Sequence, residues 1–302
     1  MRLCFASALV ALLATSAVSA QTLYVSVNGT GSVQRVSTGG VVAGFASGLT
    51  APKGVAVSSS GNVYVTQTLS GSLQSLVSQI TPAGTVTTFA TGFLTPIGLA
   101  FDNSGNLYVG DYGLHTISRI TPGGSVSTVA TGLNGPFGLA FNPGGNLYVT
   151  NRDNGTVSAV SSGGVVTPFA SGFSDPNDLV FDSAGNLYVS NFSTGVISKV
   201  TSGGSVSTFA SGFISPVGLA YDAVTGSIYV ANQGTNTISQ ITSGGTVSTF
   251  ASGIAGGPQY LAFAPSAIPE PSTYAAIAGA AMLGLAVWRR RRPSPVPVPP
   301  AA

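Results

Sequence analysis

The chain has 302 residues, 44% of them hydrophobic and only 6% charged, with a single cysteine and a single histidine. Half of its ten basic residues sit at the two ends (Arg2 and Arg289, Arg290, Arg291 and Arg292), so the formal charge of +2 misdescribes the middle. Between Gln21 and Ala264, Arg35, Lys53, Arg119, Arg152 and Lys199 face seven aspartates, and five minus seven gives −2, which leaves no electrostatic footprint for nucleic acid.

Met1-Arg2 is a short positive start, Leu3 to Val18 is almost wholly apolar or small, and Val18-Ser19-Ala20 fits a small-x-small cleavage site. Residues 1–20 are therefore expected to be a secretory signal peptide. Cys4 falls inside it, so the mature chain would carry no thiol, no disulfide and no Cys-ligated metal.

Residues 21–264 are a repeat. A tyrosine in a Leu-Tyr-Val-like triplet recurs at Tyr24, Tyr64, Tyr108, Tyr148, Tyr188 and Tyr229, with spacings of 40, 44, 40, 40 and 41 residues. Such a period points to a propeller. Each unit holds four short runs of Val, Ile, Phe, Tyr and Thr separated by turn residues, the pattern of a four-stranded antiparallel sheet. Thr121-Pro122-Gly123-Gly124 suits a type II turn, and Asp102-Asn103-Ser104-Gly105 and Asp182-Ser183-Ala184-Gly185 read as the other hairpin. The chain enters at a second strand (Leu23-Tyr24-Val25) and leaves on a first strand (Gln259 to Phe263), so the two partial units complete one blade. The expectation is an all-β, six-bladed β-propeller closed by pairing its ends.

The run Pro-x-Gly-Leu-Ala-x-Asp-x-x-Gly-Asn-Leu-Tyr-Val-x-Asp/Asn, as at Pro96 to Asp111 and Pro136 to Asn151, resembles NHL-type repeats. It is similar as well to gluconolactonase-like and streptogramin-lyase-like propellers. The resemblance implies architecture more than activity, because this fold hosts many unrelated functions.

In such a ring, the residues ending each second strand share one rim: Gln67, Asp111, Asn151, Asn191 and Asn232, with Val27 breaking the series. Lys53, Asn177, Asp178 and Gln259, which open inner strands, share the same mouth. This polar circle suits sugar hydroxyls, amides or a cation; alternatively each member braces the loop beside it. Pro176-Asn177-Asp178 resembles a gluconolactonase-like motif whose asparagine helps ligate a divalent metal. That resemblance also implies a glutamate early in the domain, whereas the only glutamate here is Glu270, and an aspartate at the slot held by Val217. No metal and no other cofactor is expected. His115 could in principle pair with Asp111 as a base, but the glutamate used by streptogramin-lyase-like relatives is missing. The loop from Thr66 to Gln74, four residues longer than its counterparts, is the first place to look for specificity.

Residues 265–292 form a three-part device: Pro269-Glu270-Pro271, an uncharged stretch with a transmembrane segment at 272–288, and the stop Arg289 to Arg292. Seventeen residues at 1.5 Å each reach about 25 Å, near the lower limit for a bilayer, and the arginines orient their end to the cytoplasm. The device resembles the PEP-CTERM sorting tail of Gram-negative bacteria, which implies recognition by an exosortase-type enzyme. Residues 293–302 are Pro-rich and expected to be extended.

Together these features describe an exported protein that passes through the inner membrane to the outer surface or the extracellular matrix. Its propeller is expected to be a non-catalytic binding module for glycans, such as exopolysaccharide, or for surface proteins. The alternative is a metal-dependent, lactonase-like hydrolase or a lyase working at the propeller mouth.

Overall fold

The computed structural model describes residues 21–69 and 73–265. The expected signal peptide, sorting tail, membrane segment at 272–288 and Pro-rich extension lie outside the described residues, as does part of the long loop, residues 70–72. Among the described residues no helix is long and apolar enough to cross a membrane.

Six antiparallel sheets of four strands each are arranged as blades. The chain first lays down β1 (Leu23–Val27), β2 (Ser32–Val36) and β3 (Val42–Ala46). The second blade is β4 (Pro52–Val57), β5 (Val63–Gln67), β6 (Ser75–Ile80) and β7 (Val86–Phe93). The third is β8 (Pro96–Phe101), β9 (Leu107–Asp111), β10 (Thr116–Ile120) and β11 (Val126–Ala130). The fourth is β12 (Pro136–Phe141), β13 (Leu147–Asn151), β14 (Thr156–Val160) and β15 (Val166–Ser171). The fifth is β16 (Pro176–Phe181), β17 (Leu187–Asn191), β18 (Val196–Val200) and β19 (Val206–Ser211). The sixth is β20 (Pro216–Asp222), β21 (Ser227–Asn232), β22 (Thr237–Ile241) and β23 (Val247–Ala251). Last, β24 (Pro258–Phe263) returns to pair with β1 through Leu23↔Phe263, Tyr24↔Ala262 and Val25↔Leu261.

The innermost strands β4, β8, β12, β16, β20 and β24 each pack on the next, and β24 meets β4. The ring is closed as the complementary half-blades required.

Burial follows strand position. The second strands are buried almost throughout, whereas the outermost strands expose their Ser and Thr residues, as in Val-Ser-Thr at 126–128. The recurring tyrosine fills the space between blades. Tyr64 meets Phe89 of its own blade and Phe101 of the next edge-on, with ring centroids 4.8 and 5.3 Å apart. Tyr148 does the same with Phe169 and Phe181, at 4.9 and 5.0 Å. Each such pair adds roughly 0.5–1.5 kcal/mol beyond area burial. The Asp-x-x-Gly hairpin takes its expected form: Asp102 Oδ1 accepts from the Ser104 and Asn106 amides at 2.9 and 2.8 Å, and Gly105 has a φ of 80°. The Thr121–Gly124 turn is not type II: its positive φ, 84°, falls on the fourth residue, Gly124, rather than on Gly123, so a left-handed glycine follows the turn and closes the hairpin.

Two features bring the inner strands close. In the Pro-x-Gly opening, a Cβ on Gly54 or Gly98 would lie 2.0 or 2.1 Å from the Ile97 or Phe137 carbonyl of the next blade, so the glycine is demanded by space. Second, a buried hydroxyl on the neighbouring strand stitches blade to blade. Thr150 Oγ1 accepts from Gly138 N at 2.8 Å and donates to Asn177 O at 3.1 Å. Thr66 joins Gly54 N to Ile97 O, and Ser190 joins Asp178 N to Val217 O. Ser26 accepts from Tyr260 N at 3.1 Å and donates to Lys53 O across the closing junction. Gly110 and Ala231 hold this slot in the remaining blades, which lack the stitch.

Candidate functional site

The openings of the inner strands and the ends of the second strands meet at one end of the channel, as Pro52↔Gln67, Pro96↔Asp111 and Pro136↔Asn151 show. In each inner strand a bulge follows the proline. Because a bulge breaks the two-residue alternation, the residue directly after the proline lies by the mouth while the next one packs against the neighbouring inner strand.

The rim residues prove to be engaged with the fold. Asp111, fully buried, accepts the backbone amides of Leu94 (2.8 Å), Thr95 (2.9 Å), Gly113 (3.1 Å) and Leu114 (3.1 Å). Asn191 Oδ1 accepts from Ser174 N at 3.0 Å while Nδ2 donates to Ser198 Oγ at 3.0 Å. Asn151 repeats this with Asn134 N at 3.4 Å and Ser158 Oγ at 2.9 Å, and Gln67 with Thr50 N and Ser78 Oγ, both at 2.6 Å. Asn232 donates to Ser239 Oγ at 2.9 Å, but its buried Oδ1 has no partner. In Gln67, Asp111, Asn151 and Asn191 the acceptor bond reaches the loop that enters the blade, seventeen residues upstream. Loop bracing of this kind is the local side-chain bonding that Asn, Asp and Gln do best.

His115 lies on the mouth side after β9, in a left-handed conformation with φ 56°. Its Nδ1 accepts from Gly135 N at 3.2 Å, and its ring lies 6.3 Å from that of Tyr112. Asp111 and His115 therefore serve different loops and do not bond each other.

Other side chains hold the centre. Asn177 is buried, and its Oδ1 has no hydrogen-bond partner. Asp178 stands where four of the inner strands have glycine. Its Oδ2 accepts from Leu219 N at 2.8 Å, and burial pushes its carboxyl up to about 7 against the pull of the Leu219 and Leu179 amides. Tyr260 also replaces glycine at this position. It reaches from β24 to the Asn177 carbonyl on β16 at 3.5 Å, and burial, reinforced by Asp178, pushes its hydroxyl well above the ordinary range. Asp178 and Tyr260 line one cavity of about 320 Å³ together with apolar residues of the inner strands, among them Val55, Leu99, Leu139 and Leu179.

On the mouth side, the Arg152 guanidinium sits 4.8 Å from the Phe137 ring and 5.6 Å from the Phe192 ring, bridging two blades. Lys53, partly buried, donates from Nζ to Gln259 Oε1 at 3.1 Å. Burial lowers its pKa, and the positive charge of Arg152 lowers it further. Asp153, next to Arg152 in the chain, accepts the Tyr112 hydroxyl at 3.0 Å. Among the described residues, no three His, Cys, Asp or Glu side chains gather to hold a metal. Sequence reasoning had placed Lys53, Asn177, Asp178 and Gln259 here but missed Arg152 and Tyr260. Tyr260 carried the same signal as Asp178, a bulky residue in a glycine slot.

Residues 43–255 match the model of the virginiamycin B lyase family, and residues 267–292 match the PEP-CTERM protein-sorting motif. The chain belongs to the virginiamycin B lyase family. Its tail marks it as an exported protein sorted by exosortase to the cell envelope or surface.

Several solved structures are similar to this chain in fold. Virginiamycin B lyase from Staphylococcus aureus shares 20% identity over 69% of this chain and 73% of that one, with a TM-score of 0.56. A streptogramin B lyase shares 16% over 76% and 74%, at 0.55. A chain of the nidogen/laminin complex shares 21% over 82% of this chain and 99% of that one, at 0.71. At such identities the likeness speaks for the propeller alone. No curated protein matches the chain.

Proposed function

We propose that this member of the virginiamycin B lyase family is a non-catalytic binding module, delivered to the cell surface or matrix, whose propeller mouth takes glycans. The observation that carries the reading is the Arg152 clamp. Two aromatic rings hold a planar donor at a mouth where Lys53 donates to Gln259. Aromatic edges with a few fixed polar groups suit sugars, whose faces are apolar and whose rims are hydroxyls. Two of the carboxylates a hydrolase would call on are otherwise occupied: Asp111 by four amides, Asp153 by Tyr112. A glycan-array screen of the purified protein tests this. Binding is expected, and Arg152→Ala should weaken it at least tenfold while leaving the melting temperature within a few degrees. Absence of binding to every polysaccharide class would reject the reading.

Family membership favours one other reading, a lyase. The Staphylococcus aureus enzyme was solved with quinupristin as a catalytically inactive variant in which a histidine is replaced by alanine. Here His115 is the one histidine of the chain and lies on the mouth side. Cleavage of quinupristin by this protein, abolished in His115→Ala, would establish the lyase instead.

A further inference from the structure

Two departures from the repeat meet in one groove between blades. On the face opposite the mouth, where the first hairpin of each blade lies, the third and fourth blades enclose a cavity of about 420 Å³. Tyr108, Val129 and Phe141 form its apolar side, and Asp102, Asn103 and Asn146 its polar side. The first departure is Val129. Phe45, Phe89, Phe169, Phe209 and Phe250 hold this slot in the other blades, and each packs edge-on against the tyrosine of its own blade. Tyr108 keeps one ring partner, Phe141, with centroids 5.0 Å apart and planes at 77°, so the half-buried tyrosine and the phenylalanine form a corner that lines the groove. The second departure is Asn142, which opens the fourth blade's hairpin where its neighbours have Asp102 and Asp182. Those carboxylates accept from the side-chain amides of Asn106 and Asn186 through Oδ2, at 2.8 and 2.7 Å. Asn142 Oδ1 accepts from the Asn146 backbone amide at 2.9 Å, and the atom left over, Nδ2, is a donor. It cannot take the Asn146 amide group as a carboxylate would, and Asn146 stays exposed at the groove's rim. Grooves of about 540 and 350 Å³ open at two other junctions, but there Tyr64 and Tyr229 are each flanked by two phenylalanines.

We propose that this groove is a second binding site, apart from the mouth, for an uncharged hexose unit of a glycan, whose apolar face lies in the Tyr108–Phe141 corner and whose hydroxyls bond Asn146, Asn103 and Asp102. A hexose ring has the matching surface, with C–H groups on a face and hydroxyls around the edge. Each hydroxyl both donates and accepts, as does each of the two carboxamides, while Asp102 offers a strong acceptor. Charge favours a neutral sugar. Asp102 lines the groove, and Arg119, the cross-strand partner of Tyr108, stands on the same face of the sheet, so one charge of each sign leaves nothing to select an acidic or a basic ligand. Filled by phenylalanine, as in the other blades, the slot is packing; occupied by Val129, it leaves an aromatic corner for a ligand to cover.

Calorimetric titration of the purified protein with cellohexaose, mannohexaose and galactohexaose tests the assignment, with Arg152→Ala used to set the mouth aside. At least one of the three is expected to bind Arg152→Ala at a single site. Adding Val129→Phe, which restores the residue of the other five blades, should weaken that binding at least tenfold without lowering the melting temperature. Adding Asn142→Asp instead gives Asn146 the partner its counterparts have; it should weaken binding too, and it decides the matter if the larger side chain upsets folding. A purely structural role for these positions would move stability and leave affinity alone. Binding by Arg152→Ala that survives both added substitutions would overturn the groove site. Tighter binding of hexagalacturonate to Arg152→Ala would overturn the choice of a neutral sugar. Loss of all binding in Arg152→Ala would overturn the groove and leave the mouth standing as the glycan site. A parent protein that binds none of the hexaoses would overturn the groove and count against the glycan reading as well.

Discussion

Asp178 carries its consequence in its protonation. Its carboxyl titrates near 7 in the folded protein, where burial disfavours the anion, against an ordinary value of 3.8. Between those values the folded state holds a proton that the unfolded chain has released. Stability from this group is therefore full below about 3.8 and is lost as pH rises toward 7. Denaturant melts between pH 4 and pH 8 should show a decline absent in Asp178→Asn, worth up to about 4 kcal/mol at 1.36 kcal/mol per unit. A variant with the same slope as the parent would mean that the carboxyl is already solvated. The Asn-Asp pair was visible in the sequence because every other blade departs from it. Its role was not: the metal motif it resembles calls for ligands absent here, and only the fold shows Asp178 facing Leu219 N and Tyr260. Arg152 was invisible for a related reason. Its clamp needs Phe192, forty residues away and in another blade.

At the scale of the strand, the Pro-x-Gly opening was legible as a repeat but not as a packing device. The glycine is there because the next blade's backbone carbonyl occupies the space a Cβ would take, a fact of close approach between elements. The hydroxyl stitch extends the same logic, since it joins an amide in one blade to a carbonyl in the next. Ser190→Ala removes one stitch and leaves Asp178 N and Val217 O buried, so a loss of roughly 1–3 kcal/mol is expected in chemical melts. Gly110 offers the converse. A Cβ there would lie 3.4 Å from Phe137 O, in ordinary contact, and its φ is not among the positive ones. Gly110→Ser should create the missing stitch and raise stability by about 1 kcal/mol. A lower melting temperature in that variant would show that the junction of β8 and β12 has no room for a hydroxyl.

Across the whole molecule, closure turns six weak blades into one cooperative body. Each blade alone would present exposed faces, and the open edge of β1 would invite pairing with another chain. Truncation before Pro258 removes β24 and should produce association detectable by light scattering, together with loss of a single sharp melt. A monomeric truncation with an unchanged transition would mean that the ring holds without its closing strand. The period of 40, the two turn chemistries and the complementary half-blades determined the six-bladed ring from sequence alone, because each is a local or periodic property of the chain. The Pro-Glu-Pro, apolar and arginine run likewise determined the sorting tail, since an enzyme reads it as linear sequence. Tertiary structure alone decided which polar residues brace loops and which face the mouth. That choice depends on bulges, inter-blade distances and partners far apart in the chain, none of which leaves a periodic trace.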